Sequence, residues 1–203
     1  GDSHAGAWAP AFDAVAERLH LNLYVFSRDG CPPSDVSPVT AFYADRDMPE
    51  SEQENCRERN ANTEQFIVDH PEISAVFLAN FSTNYVFEAG AEFGGIERIF
   101  DRLSTESRTV VMMEDAPLMM QESGKFMNVP ECLAASSGDA AACEVPIDRA
   151  YPEERQIEHL DGALGTDVPV VPTREAFCDA NTCYGLIGGV PVFFDHSHIS
   201  DSY

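Results

Sequence analysis

Short apolar runs recur along this chain, separated by stretches with helical patterning, and that alternation restricts the possible fold more than any other feature. Residues 21–26, 73–79, 109–113 and 168–171 each read as a buried strand. Trp8, Phe12, Val15 and Leu19 recur at steps of four, three and four, with Asp13, Glu17 and Arg18 between them. That spacing predicts one helix running from Ser3 with a buried stripe. A polar loop over 34–51 leads to a second predicted helix over 52–68, and Pro152 opens another that continues to about Leu164. Residues 85–103 are mixed: Ile96, Ile99 and Leu103 suit a helix, while Gly90, Gly94 and Gly95 weaken it. Gly188-Gly189 between two apolar runs predicts a hairpin over 184–194. Strands alternating with helices specify an α/β fold with a central, mainly parallel sheet. At 203 residues, with no internal repeat, the chain reads as one domain, 1–203.

In such a sheet the groups that meet ligands lie beyond the carboxyl ends of the strands. Gly30, Asn80 and Asp195 all follow apolar runs, which puts them on one edge with Ser3, at the start of the first helix. Ser3 stands in Gly1-Asp2-Ser3-His4, and Asp195-His196-Ser197-His198 lies near the other end. A serine hydroxyl is a weak nucleophile at neutral pH, so it needs a base within reach and a third group to hold that base's tautomer. Asp195 and His198, three residues apart on a loop, have the types and spacing for those two roles. His196 reads as a rim residue. His-x-His with one carboxylate and no further matched ligand is too little for a metal site, so no metal or cofactor is expected. The backbone N–H groups of Ser3 and Gly30 and the amide of Asn80 are candidate donors to an oxyanion. Ser3 also suits a helix N-cap, Gly30 a turn and Asn80 a strand-end cap. His4, Asn84 and Tyr85 join His196 as possible substrate-rim residues, and Trp8 reads as core.

The formal charge of −23, from 35 acidic residues against 12 basic ones, argues against a nucleic-acid partner. Lys125 is the single lysine, so a polybasic membrane patch is also missing. No run approaches the roughly 18 apolar residues of a membrane span. Six cysteines allow fifteen pairings, and none forms Cys-x-x-Cys. Each consecutive pair brackets a loop or a short helical entry, so the expected bridges are Cys31–Cys56, Cys132–Cys143 and Cys178–Cys183. An even, paired set points to an oxidising compartment, periplasmic or extracellular.

The Gly-Asp-Ser block, Gly30, Asn80 and Asp195/His198 together resemble the SGNH (GDSL-like) hydrolase superfamily. The similarity is greatest to the C-terminal periplasmic SGNH domain of bacterial membrane-bound acyltransferase family three proteins, which O-acetylate cell-surface glycans. It runs through Gly30-Cys31-Pro32-Pro33, residues 56–60, Asn80-Phe81-Ser82, Pro130-Glu131-Cys132-Leu133, Cys178/Cys183 and residues 194–200. Phe81 stands where Trp is expected, and His196-Ser197 where acidic residues are usual. The resemblance implies a three-layer α/β/α, flavodoxin-like fold and a serine acyltransferase with the triad Ser3, His198 and Asp195. It implies no cofactor, a glycan acceptor, and an acyl donor reached through an upstream membrane acyltransferase domain of the same chain. Because the serine motif of a doubly wound fold should follow a strand, the chain is expected to be a fragment of a longer, membrane-attached protein. A stand-alone carbohydrate esterase and an inactive glycan-binding module are the alternatives.

Overall fold

The computed structural model describes residues 1–41, 46–151, 155–165 and 167–203. Two compact units make up the chain. Gly1–Gly6, Val25–Met113 and Glu154–Val171 form the first, and Ala7–Tyr24, Glu114–Glu153 and Pro172–Tyr203 the second.

A parallel sheet organises the first unit: Ala75–Leu78 pairs with Thr109–Met113, which pairs along its other edge with Val170–Val171. Parallel neighbours need crossover connections, usually helices. Helix Ile96–Leu103 lies between the first two strands and helix Arg155–Leu164 between the next two. Ile96, Ile99, Phe100 and Leu103 form the buried stripe of the former helix and pack with Ile67, Leu78, Val110, Met112, Leu160 and Val168 in one core. Helix Glu50–Asp69 carries Glu50 and Glu52 in its first turn, where negative charge suits the positive end of the helix dipole. Its buried residues are Cys56, Asn60 and Ile67, four and seven residues apart and so on one face. A smaller antiparallel sheet sets Thr40–Ala41 between Arg46–Asp47 and Tyr85–Val86.

The second unit has its own core of Val129, Cys143, Val145, Phe177, Cys183, Val192, Phe193 and Ile199. Val145–Pro146 pairs with Thr182–Cys183, and Leu186–Ile187 with Val190–Pro191. The second pair is the hairpin expected around Gly188-Gly189, which both take left-handed φ. Disulfides join Cys31 to Cys56 in the first unit, and Cys132 to Cys143 and Cys178 to Cys183 in the second.

The architecture is the expected α/β one with a parallel sheet, but three local expectations change. The helix from Ser3 divides into Ser3–Ala7 and Ala9–Leu19, because Pro10 has no N–H to give to the carbonyl of Gly6. Its apolar stripe is not buried along its length: Ala16 is buried, whereas Val15 and Leu19 are 52% and 59% exposed. Residues 21–26 form no strand among the described residues, and Leu21, Leu23, Tyr24 and Val25 are exposed. An apolar run supplies β propensity, but only a neighbouring strand makes it a ladder. Pro152, expected to open a helix, lies outside the described residues.

Candidate active site

The turn at Gly1-Asp2-Ser3 is held from both sides. The Gly1 nitrogen donates to the Phe26 carbonyl at 3.0 Å, and Arg28 N–H donates to the Gly1 carbonyl at 3.2 Å. A Cβ on Gly1 would stand 1.9 Å from the Ala79 oxygen, so only glycine allows that approach. The segments leading to Gly30 and to Asn80 therefore both meet the backbone that carries Ser3. Asp2 is fully buried. One of its carboxylate oxygens accepts the His4 N–H at 2.9 Å, capping the first turn, and the other accepts the Phe81 N–H at 2.8 Å and the Tyr85 hydroxyl at 2.6 Å. Ser3 is half-buried at the start of its short helix.

Gly30 takes φ +69° in a turn closed by Cys31 N–H donating to the Arg28 carbonyl at 3.0 Å. A Cβ there would meet nothing within 4 Å, so the position is chosen for its backbone angle and not for space. Three ties hold the loop that follows. Cys31 is bridged to Cys56. The Asn60 amide donates to the carbonyls of Pro32 at 2.8 Å and Ser34 at 3.0 Å. Asp35 accepts from Arg98 at 2.6 Å and also from Arg102. Burial works to raise the Asp35 pKa, but the hydrogen bonds and charges of Arg102 and Arg98 outweigh it and hold the carboxyl below its ordinary range.

Asn80 follows the strand Ala75–Leu78 and is 4% exposed. Among the described residues neither its Nδ2 nor its Oδ1 has a hydrogen-bond partner, although both atoms are buried. Leaving such a group unpaired costs about 1–3 kcal/mol. Buried, unpaired polar groups of this kind call for an explanation, and a ligand that completes the bond is one.

Asp195 and His198 lie in the second unit. Asp195 Oδ2 and His198 Nδ1 are 2.7 Å apart, while Oδ1 accepts the backbone N–H groups of Ser197 and His198, both at 2.8 Å. Burial tends to raise the Asp195 pKa, yet those two N–H donors and the imidazole prevail and lower it, keeping the carboxylate charged. The His198 ring stacks on Phe194 at 5.3 Å between centroids. With Nδ1 committed to Asp195, a base role for His198 would run through Nε2. Phe194 N–H donates to the His198 carbonyl at 3.1 Å, closing the loop on itself.

The four residues expected at a substrate rim have distinct settings. His196 is exposed and tilted against Phe126. His4 is buried and stacked on Phe81, with centroids 4.3 Å apart. Asn84 is half-buried and closes a turn through its N–H to the Phe81 carbonyl. Tyr85 directs its hydroxyl to Asp2. Sequence reasoning passed over Asp2 and Asn60 as working residues. The signals for Asn60 were its place in the 56–60 stretch that carries the resemblance and its position four residues after Cys56 on a helix, which puts both on the same face.

A family model described as an SGNH domain (fused to AT3 domains) matches residues 1–203. Among solved structures, the periplasmic domain of the Salmonella ser. Paratyphi A lipopolysaccharide acetyltransferase is similar, with a TM-score of 0.62 and 13% sequence identity. The match covers 99% of this chain and 76% of that one, a likeness of fold. No curated protein matches the chain.

Proposed function

We propose, from the premise that the chain belongs to the family of SGNH domains fused to AT3 domains, that it is the acyl-transferring domain of an O-acyltransferase acting on a surface glycan. In this reading His198 Nε2 takes the Ser3 hydroxyl proton while Ser3 Oγ attacks an acyl carbonyl, and Asp195 holds the imidazole and its positive charge. The oxyanion is met by the N–H groups of Ser3 and Gly30 and the amide of Asn80. His198 returns its proton to the leaving group, giving an acyl ester on Ser3. In the second half His198 takes the proton of a sugar hydroxyl, whose oxygen attacks the ester, and Ser3 regains its proton.

The observation that carries this reading is the Asn80 amide, buried and without a hydrogen-bond partner among the described residues, next to a residue bonded to the turn of Ser3. Oxyanion stabilisation requires a donor that the fold holds in place and that is not already spent on another acceptor. The Asp195–His198 pair at 2.7 Å supports the base assignment. Acetyl is the proposed acyl group, and the proposed setting is the periplasmic or extracellular side of a membrane, with the donor delivered by an upstream membrane domain of the same longer chain. Among the described residues no helix is long and apolar enough to cross a membrane. The test is turnover of an activated acetyl ester together with intact-protein mass. Wild-type protein is expected to carry one acetyl group on Ser3. Ser3→Ala and His198→Ala should each lose at least about a thousandfold in turnover, while His196→Ala keeps most of it. An active His198→Ala beside a dead His196→Ala would overturn the base assignment, and an active Ser3→Ala the whole scheme.

A further inference from the structure

The Asn80 side chain has no hydrogen bond of its own among the described residues, so its aim is set by the backbone that carries it. That backbone is fixed one residue on, where Phe81 N–H donates to Asp2 Oδ2 at 2.8 Å. The same oxygen accepts the Tyr85 hydroxyl at 2.6 Å, and the other oxygen takes the N–H of His4, the residue after Ser3. One buried carboxylate thus ties the nucleophile's turn to the Asn80 segment, 79 residues away in sequence. Among the described residues, two of its three hydrogen bonds come from the segments being joined. The third comes from Tyr85, which stands on a separate element.

We propose that Tyr85 is a positioning residue of the acyl-transfer site: acting through Asp2, it sets the Asn80 amide relative to the turn of Ser3. This rests on the reading of Ser3 as nucleophile and Asn80 as oxyanion donor. Tyr85 is itself held apart from that segment by the antiparallel pairing Ala41↔Tyr85 and Thr40↔Val86. Its hydroxyl is therefore a fixed point for the carboxylate. Hydrogen bonds to a charged acceptor are stronger and more directional than neutral ones. Losing this one leaves Asp2 buried with two donors and free to tilt toward either segment. A small displacement of an oxyanion donor falls on the transition state, because that is where the donor acts.

The experiment is a double-mutant cycle on hydrolysis of an activated acetyl ester, run well below the melting temperature of each variant, with Ser3→Ala as the control. Tyr85→Phe is expected to lower kcat on the order of tenfold at unchanged KM. In an Asn80→Ala background the same change should cost less than about twofold, since the donor it positions is gone. Asp2→Asn, which keeps the shape and removes the charge, should lower kcat in the same direction and show the same coupling to Asn80. A wild-type kcat for Tyr85→Phe, or an equal loss with and without Asn80, would overturn the proposal while a dead Ser3→Ala leaves the underlying reading standing. Full turnover in Ser3→Ala would remove that reading itself.

Discussion

As the proposed oxyanion donor, Asn80 would put stability and activity in opposition at a single side chain. An amide buried without a partner costs about 1–3 kcal/mol, and a well-placed oxyanion donor contributes about 3 kcal/mol to the transition state. Asn80→Ala is therefore expected to lower kcat about a hundredfold with little change in KM, while its melting temperature holds or rises. Steady-state kinetics and calorimetry on the same preparation check both halves, and an unchanged kcat would return Asn80 to a strand-end role. The residues of this site differ in how far sequence betrayed them. Gly-Asp-Ser and Asp-x-x-His are local patterns whose geometry follows from a few bonds, so Ser3, Asp195 and His198 could be nominated from spacing together with the family resemblance. Gly30 declared itself by its turn, and it does take positive φ. Asp2 could not be recognised in the same way, because its partners Phe81 and Tyr85 reach it through the fold and no local rule links them.

At the scale of elements, helix Glu50–Asp69 does more for the site than its polar composition suggests. It lends Cys56 and Asn60, one turn apart, to the loop after Gly30: a covalent tie at Cys31 and two amide hydrogen bonds at Pro32 and Ser34. The pairing of Cys31 with Cys56 was legible as a bracketed loop; the hydrogen bonds of Asn60 were not, since its partners Pro32 and Ser34 reach it through the fold. The run at 21–26 shows the opposite failure, a strong apolar pattern with no ladder partner among the described residues. Bridging residues 25 apart removes about 3.5 kcal/mol of unfolded-chain entropy, against about 2 kcal/mol for the Cys178–Cys183 bridge with its separation of 5. Replacing both Cys31 and Cys56 by Ser should lower the melting temperature by about 10 °C and also reduce kcat, because the Gly30 turn loses its anchor. The Cys178/Cys183 double variant should melt closer to wild type and keep its kcat. Calorimetry with parallel ester assays decides, and equal kcat in the two variants would show that the bridge does not support the Gly30 donor.

The charge of the whole molecule bears on where the acyl group comes from. The formal charge is −23, and much of the scarce cationic charge is already neutralised by neighbours. Arg46 pairs with Glu52, Arg57 with Glu54, Arg98 and Arg102 with Asp35, and Arg174 with Glu114. The exposed pairs Arg46–Glu52 and Arg57–Glu54 add little to stability, but all of these pairs leave fewer arginines to offset the field that a polyanion meets on approach. A coenzyme A thioester, with its phosphates, is thus a poorly matched donor. The three disulfides, with no free cysteine, suit an oxidising compartment outside the pool of such thioesters. Handing the acyl group over from a membrane domain resolves both difficulties, because the donor then arrives as a neutral acyl unit. The same field favours a neutral or weakly charged sugar as acceptor. Incubated with acetyl-coenzyme A and a glycan, the chain is expected to form no O-acetyl sugar, at low ionic strength or high, while still turning over an uncharged activated acetyl ester. Analysis of the glycan by mass spectrometry provides the check. Efficient transfer in that mixture would make the chain self-sufficient and remove the need for a relay. Transfer that appears only as salt is raised would instead identify electrostatic exclusion, and not the missing membrane partner, as the barrier.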